Sequence, residues 1–402
     1  MPDLVQWSEV QQPFGLWGDT CRAAALVGHD YGGTHARTGV FLRQQDGSWT
    51  CARAGSVRHE GQRRLIDAGV GEALAWVRRN LGATATVRLG LGCKGPTDVR
   101  SGWTDPGAHF AWGAHNVVER YAQAHANAFE HIVAANDLVT CALGAVLAED
   151  VRRQLARELA RWNSAHSDRP IPLDDLHRDV AVLSVGTGAG YKVIGRDGRI
   201  GEGGEVWTLY APIDLDLLNW LRRRYRAEAA RRDGVASRYA LYTEKFVSSA
   251  SLPLVYEYLT SALGETPAPG IARGIAEAPD PPAAISDAAR GGCPVCARVL
   301  VYLAVHLASL CQQIVQAHRP RSLVLCGPSL LVPNWELLQA PFLRYFRREF
   351  GAGPVEFPLV VESVVGLREW MLQAAIAIDR TPHPGVVGAG YLAAHAEFYQ
   401  RA

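Results

Sequence analysis

The stretch Ala23-Ala24-Ala25-Leu26-Val27-Gly28-His29-Asp30-Tyr31-Gly32-Gly33-Thr34-His35-Ala36-Arg37-Thr38-Gly39-Val40-Phe41-Leu42 decides the fold class. Residues 23–27 form a short apolar run that ends at a Gly-rich turn, and residues 38–42 resume it. The pattern predicts a strand, a tight turn and a second strand. A carboxylate at a strand end, here Asp30, can hold Mg²⁺ through water. Gly32 and Gly33 let backbone N–H groups approach phosphate oxygens, and Thr34 adds a hydroxyl donor. A plain hairpin turn uses glycines in the same way. The order Asp, Gly, Gly, Thr is what points to phosphate.

Reading outward, residues 48–54 supply a third strand, 61–81 a helix by periodicity and 86–92 another strand. A polar loop rich in Gly, Pro and Trp then runs to His115. Residues 132–135 form a strand that stops at Asn136-Asp137, where one helix begins and continues over 138–162. The second half repeats the order. Residues 180–185 and 190–194 pair as strands, 215–232, 253–263 and 295–318 read as helices, and 322–326 is a strand ending in Gly327-Pro328. Residues 266–292, rich in Pro, Ala and Gly, read as a surface excursion with short helices. No fixed-period repeat is present, which excludes a solenoid.

Composition sets the outer limits. The chain has 402 residues, too many for one ordinary core and suited to two α/β domains. It is 48% hydrophobic and 20% charged, as globular proteins are, with a formal net charge of +1. That balance gives no bias toward nucleic acid or acidic membranes. The beginning, Met1-Pro2-Asp3, lacks a basic run before an apolar core, so no secretory signal is expected and the reading is cytoplasmic. The apolar run 299–310 contains His306 and is too short to span a bilayer, so it reads as a buried helix. Eight scattered cysteines read as reduced thiols. Cys293-Pro294-Val295-Cys296 has the spacing of half a zinc site without a second pair nearby, which favours structural thiols.

Four further motifs carry chemistry. Asn136-Asp137 at a strand-to-helix junction suits a helix cap and equally a general base that takes a hydroxyl proton during phosphoryl transfer. Gly186-Thr187-Gly188 between two apolar strands suits a backbone phosphate cradle or a hairpin turn. Gly201-Glu202-Gly203-Gly204-Glu205 offers carboxylates to sugar hydroxyls, or holds solvated charges. Gly327 at a strand end would let an adenine lie against the backbone. Trp103 and Trp112 could stack on carbohydrate, but packing is the commoner role of such residues.

Taken in order, these motifs resemble the bacterial glucokinase family of the actin-like sugar-kinase superfamily. The matching segments are AALVGHDYGGTHARTGVF, AANDLVTCALGA, VLSVGTGAGYKV, GEGGEVWTLYAP, LVLCGPSLL and HPGVVGAGYLAA. The resemblance implies an α/β actin-like fold of two domains closing over a cleft. The smaller would comprise 1–135, completed by the C-terminal helix 385–402, and the larger 136–384. It implies ATP and Mg²⁺, with Asp137 as base, Asn136 and Glu202 on the sugar, and Asp30, Gly32, Gly33, Thr34, Gly186, Thr187 and Gly188 on the triphosphate. Gly327 would sit beside the adenosine and Asp30 would hold the metal through water. The implied partner is a small-molecule sugar, with no nucleic acid or membrane, and a homodimer is compatible with it. In the family a similar Cys pair opens the long helix before the adenosine motif.

The sugar-reading shell departs from the family. Glu205 stands where the family has His, two extra residues precede Ala211-Pro212, and Ser237 falls roughly where a further sugar-binding Glu is expected. Gly327-Pro328 replaces Gly-Gly. An ionised Glu only accepts hydrogen bonds whereas a neutral His also donates, so glucose is the default substrate and another hexose, an amino sugar or a cyclitol the alternative. Three other readings compete. A sugar-sensing repressor would need a DNA-binding module, and about twenty residues before the first predicted strand are too few for three helices. An actin-like ATPase would not need Asn136-Asp137 together with the 201–205 loop. A pseudokinase would not need to keep Asp30, Asp137 and both Gly turns.

Overall fold

The computed structural model describes residues 5–13, 21–59, 61–106, 110, 112–165, 176, 178–201, 215–231, 244–347, 374–381 and 383–396. Packing divides the chain into two compact units, Met1–Arg153 with Thr381–Ala402, and Gln154–Arg380. The division falls after Arg153, eighteen residues beyond the boundary drawn from the sequence (153 − 135). The helix at the strand-to-helix junction therefore belongs with the strand before it.

The first unit is built on a six-stranded sheet in the order β1-β4-β3-β2-β5-β8. The strands are β1 (Gln6–Pro13), β2 (Ala25–Tyr31), β3 (His35–Arg43), β4 (Trp49–Arg58), β5 (Val87–Cys93) and β8 (His131–Asn136). The first four pair antiparallel, while β2, β5 and β8 run parallel. Strand β1 was not expected. It is a polar edge strand in which Gln6, Ser8 and Glu9 are exposed, so it carries little apolar signal.

Both faces of this sheet are covered, which is why β2 and β5 read as nearly continuous apolar runs. On one face Val27, Leu89 and Leu91 pack with Ile66, Val70 and Val77 of α1 (Arg63–Leu81), and with Val117 and Tyr121 of α2 (Val117–Ala124). On the other, Leu26, Phe41 and Trp49 meet Val386, Val387 and Ala393 of the last helix. The helix predicted over 138–162 is two helices, α3 (Asp137–Leu147) and α4 (Glu149–Ala165), because Ala148 between them is extended. Two short strands, β6 (Trp103–Thr104) and β7 (His115–Asn116), pair in the loop after β5.

The second unit has a four-stranded sheet, β10-β9-β11-β12, formed by β9 (Val180–Val185), β10 (Ala189–Ile194), β11 (Ser322–Cys326) and β12 (Ala375–Asp379). Again an antiparallel hairpin is extended by parallel strands. Helix α5 (Leu215–Arg231), the short α6 (Glu244–Val247) and α7 (Ser251–Glu257) precede the segment read as a surface excursion. That segment holds α8 (Pro269–Glu277) and α9 (Pro281–Arg290), each with proline in its first turn, and Asp280 caps α9 through Ala283 N at 3.1 Å. Helix α9 is no mere excursion, since Ile285 and Ala289 are buried in the core.

Helix α10 (Pro294–His318) is the spine of that core. It matches the helix read over 295–318 to within one residue and, although long and apolar enough to cross a membrane, has 72% of its most apolar window buried inside the protein. Helix α11 (Leu331–Phe346) carries Pro341 in its interior, a residue that hides a helix from pattern reading.

Cys293 occupies the N-cap position of α10 without a side-chain capping bond, Cys296 lies in the first turn, and both are buried. Burial and the neighbouring Cys293 push the Cys296 thiol up to about 12. Among the described residues no group of three His, Cys, Asp or Glu side chains stands together to hold a metal ion. Elemental analysis of protein purified without added metal is expected to show no stoichiometric zinc. One zinc per chain, with unfolding on chelation, would contradict this.

Candidate active site

Register brings three chemically distinct strand ends level in the first unit. Tyr31 pairs with Cys93, and Cys93 with Asn136. One residue earlier, Asp30, Gly92 and Ala135 are aligned. The carboxyl ends of adjacent parallel strands are where open α/β sheets bind ligands. The Gly turn of β2–β3 and the Asn136-Asp137 junction thus lie on either side of the end of β5.

The β2–β3 turn is held from outside. Gly32 N donates to His35 O at 3.1 Å, and His59 N donates to Thr34 O at 3.2 Å. Gly61 N donates to His59 Nδ1 at 2.9 Å, so the ring proton sits on Nε2, which donates to Gly32 O at 3.0 Å. Burial lowers the His59 pKa and keeps this neutral form. Among the described residues no acceptor takes the N–H of Gly33 or Thr34, and a Cβ at Gly33 would meet nothing within 4 Å. The turn has the open space and donors that a phosphate group requires. His59 carried no signal in the sequence.

Asp30 is enclosed by glycines. A Cβ at Gly385 would lie 2.5 Å from its carboxyl carbon, and one at Gly92 would lie 2.9 Å from its Oδ1 and 2.5 Å from Thr140 Oγ1. Gly385 is the second residue of α12 (Pro384–Ala394), so the first turn of that helix abuts the carboxylate. Burial pushes the Asp30 pKa up to about 6, against the opposing pull of Arg37 and Lys94. Arg37, its cross-strand neighbour, stands 4.0 Å away. A carboxylate at this place can hold a hydrated divalent ion, and the added positive charge would favour its ionised form.

The folded chain binds the Asp30 proton more tightly than the unfolded chain does. Stability from this group is therefore greatest below the unfolded pKa and is lost as pH rises through the folded one. Asp30→Asn is expected to stabilise the chain by about 1–3 kcal/mol at pH 7.5 and to be nearly neutral at about pH 3, where the carboxyl is largely protonated in both states. Urea melts in EDTA at the two pH values check this. An equal effect at both would contradict it.

Asn136 and Asp137 act together at the start of α3. Asn136 Oδ1 accepts from Leu138 N at 3.0 Å as the cap, while its Nδ2 donates to Gly95 O at 2.8 Å and to Asp137 Oδ1 at 3.0 Å. Leu138 N also donates to Asp137 Oδ1 at 3.0 Å. Thr140 Oγ1 donates to the Asp137 carbonyl at 2.9 Å. The half-buried Asp137 carboxylate is oriented by these contacts. Cap and candidate base coexist at one junction.

In the second unit, Gly186 N donates to Gly188 O at 2.8 Å and Gly186 O accepts from Ser249 N at 2.8 Å. No described acceptor takes the N–H of the exposed Thr187 or of Gly188, and a Cβ at Gly186 would meet nothing within 4 Å. This turn has the donors of a phosphate cradle. Gly327 has a packing reason of its own: a Cβ there would lie 2.6 Å from Leu331 Cγ and 2.8 Å from Val185 O. Its carbonyl accepts from Leu331 N at 2.8 Å as α11 begins. Glu202 and Glu205 lie outside the described residues, as does Ser237.

No family model matches the chain, and no curated protein matches it by sequence. Solved structures do match over nearly its whole length. A ROK-family glucokinase from Streptomyces griseus, in complex with glucose and AMPPNP, is 19% identical with a TM-score of 0.58, covering 92% of this chain and 99% of that one. A glucokinase from Balamuthia mandrillaris in complex with glucose gives 16% and 0.61, covering 92% and 93%. A ROK-family transcriptional regulator, homologous to the MLC protein of E. coli, gives 13% and 0.58, covering 94% and 81%. The chain has the actin-like fold of the ROK-family sugar kinases, and the resemblance to glucokinases holds at the level of the fold.

Proposed function

We propose that the chain transfers the terminal phosphoryl group of ATP to a hydroxyl of a hexose, with Asp137 as the general base. The observation that carries this reading is the placement of Asn136-Asp137 at the end of β8, two strands from the Asp30–Thr34 turn and in register with it. A phosphate held at that turn and a hydroxyl held at Asp137 would face each other across the end of β5. Mg²⁺, when bound, would supply positive charge to the phosphates. The chain's own part is to orient the carboxylate through Asn136 and Leu138 N, and to receive the hydroxyl proton on Asp137.

Gly33 and Thr34 offer N–H groups to a phosphate, and Thr187 and Gly188 are assigned to the triphosphate through the sequence resemblance. Gly327 is placed beside the adenosine through the sequence resemblance. Glu202 and Glu205 enter through that resemblance as sugar ligands. Glucose is the default acceptor, and Glu205 in place of His favours acceptors that present donors, such as an amino sugar. The test is sugar-dependent ADP release with glucose, mannose, glucosamine and a cyclitol. ADP release that rises with one of them supports the reading. Tight sugar binding without ADP release would instead indicate a sensor of the same fold.

A further inference from the structure

Between the phosphate turn and the candidate base stands a cation to which the sequence reading gave no role. Among 41 Lys and Arg residues only Lys94, Lys192 and Lys245 are lysines. Lys94 directly follows β5, next after Cys93, whose register partners Tyr31 and Asn136 lead into the β2–β3 turn and into Asp137. Adjacent parallel strands lie about 4.8 Å apart, and β5 lies between β2 and β8, so Lys94 leaves the middle strand of the three. It is half-buried, and no hydrogen bond or ion pair joins it to another described residue. Its charge reaches Asp30, lowering the pKa of that carboxylate, but Asp30 already has Arg37 beside it. Pairing with Asp30 therefore does not account for Lys94.

We propose that Lys94 is a further catalytic residue, whose ammonium group meets the oxygens of the phosphoryl group as it passes from nucleotide to sugar. The proposal rests on the kinase reading. A phosphoryl group moving from the β2–β3 turn to a hydroxyl at Asp137 crosses the end of β5, where Lys94 stands. In the step, the hydroxyl oxygen bonds to phosphorus, the bond from phosphorus to the bridging oxygen of ADP breaks, and the hydroxyl proton passes to Asp137. Lys94 keeps its own proton throughout. Charge in such a transfer spreads over the three equatorial oxygens, and an ammonium group is a compact charge with three donors that can follow them.

The test uses the full chain and the hexose that wild type phosphorylates fastest among glucose, mannose and glucosamine. Lys94→Met is expected to lower kcat by about 10²–10³. By calorimetry, it should leave the Kd of the free hexose within about threefold of wild type and weaken the 6-phosphate of that hexose at least about tenfold. Lys94→Cys treated with 2-bromoethylamine, which rebuilds a lysine-like amine, should recover most of the lost kcat, since all eight native cysteines are buried. If Lys94→Met keeps more than about a third of wild-type kcat, or weakens hexose and hexose phosphate equally, the Lys94 role is wrong and the kinase reading stands. If wild type phosphorylates none of the three sugars and no cyclitol, both fall together.

Discussion

Asp137→Asn lowers kcat by about 10²–10⁴ on this account, with sugar and ATP affinities retained. The substitution keeps the side chain's size, and an amide oxygen can still accept from Leu138 N as Asp137 Oδ1 does at 3.0 Å. The start of α3 also keeps its cap, because Asn136 Oδ1 supplies it independently at 3.0 Å. What the variant loses is a basic oxygen to receive the hydroxyl proton. Steady-state kinetics with calorimetric binding separates the two effects. More than about a third of wild-type turnover would remove Asp137 from the role of base, and a matched loss of sugar binding would make it a ligand instead.

The second large effect concerns packing that positions the site. Helices α3 and α12 cross almost backbone to backbone: a Cβ at Gly144 would lie 1.8 Å from Pro384 O, and one at Gly388 would lie 1.8 Å from Thr140 O. Such a contact cannot be relieved by rotating a side chain. The same crossing sets Gly385 against Asp30 and Gly388 against Thr140, whose hydroxyl donates to the Asp137 carbonyl within α3. Gly144→Ala is expected to cost about 2–4 kcal/mol, because overpacking outweighs the usual helical gain of alanine over glycine. Gly274→Ala is the control. Gly274 is exposed in α8 with nothing within 4 Å of its Cβ position, so alanine should stabilise by about 0.4–1 kcal/mol. Urea denaturation of both variants checks the opposite signs, and a neutral Gly144→Ala would show that α3 and α12 can part without cost.

The two Gly turns and the helix start that the candidate roles rest on were legible because they are local. Asp30 to Thr34 and Gly186 to Gly188 are turns between strands, and turn chemistry is written in consecutive residues. Asn136-Asp137 announced a helix start in the same way. The less legible parts come from far along the chain or from weak patterns. Gly385 abuts Asp30 across some 355 residues of sequence (385 − 30), and no periodicity reports such a contact. His59 holds the Gly turn through one ring nitrogen and its backbone, which leaves no pattern. Strand β1 is a polar edge, Pro341 interrupts the pattern of α11, and Ala148 breaks a helix that periodicity alone would continue. Lys94 was visible as a rare lysine, but only the strand order sets it at the end of the strand between β2 and β8.

The most direct measurement follows the phosphoryl group itself. The chain is incubated with ATP labelled at the terminal phosphate, Mg²⁺ and one hexose at a time, and the products are separated. The account predicts label in a hexose phosphate, in step with unlabelled ADP, and almost none with Asp137→Asn. Label recovered only as orthophosphate, or none transferred to any sugar that binds, would contradict it.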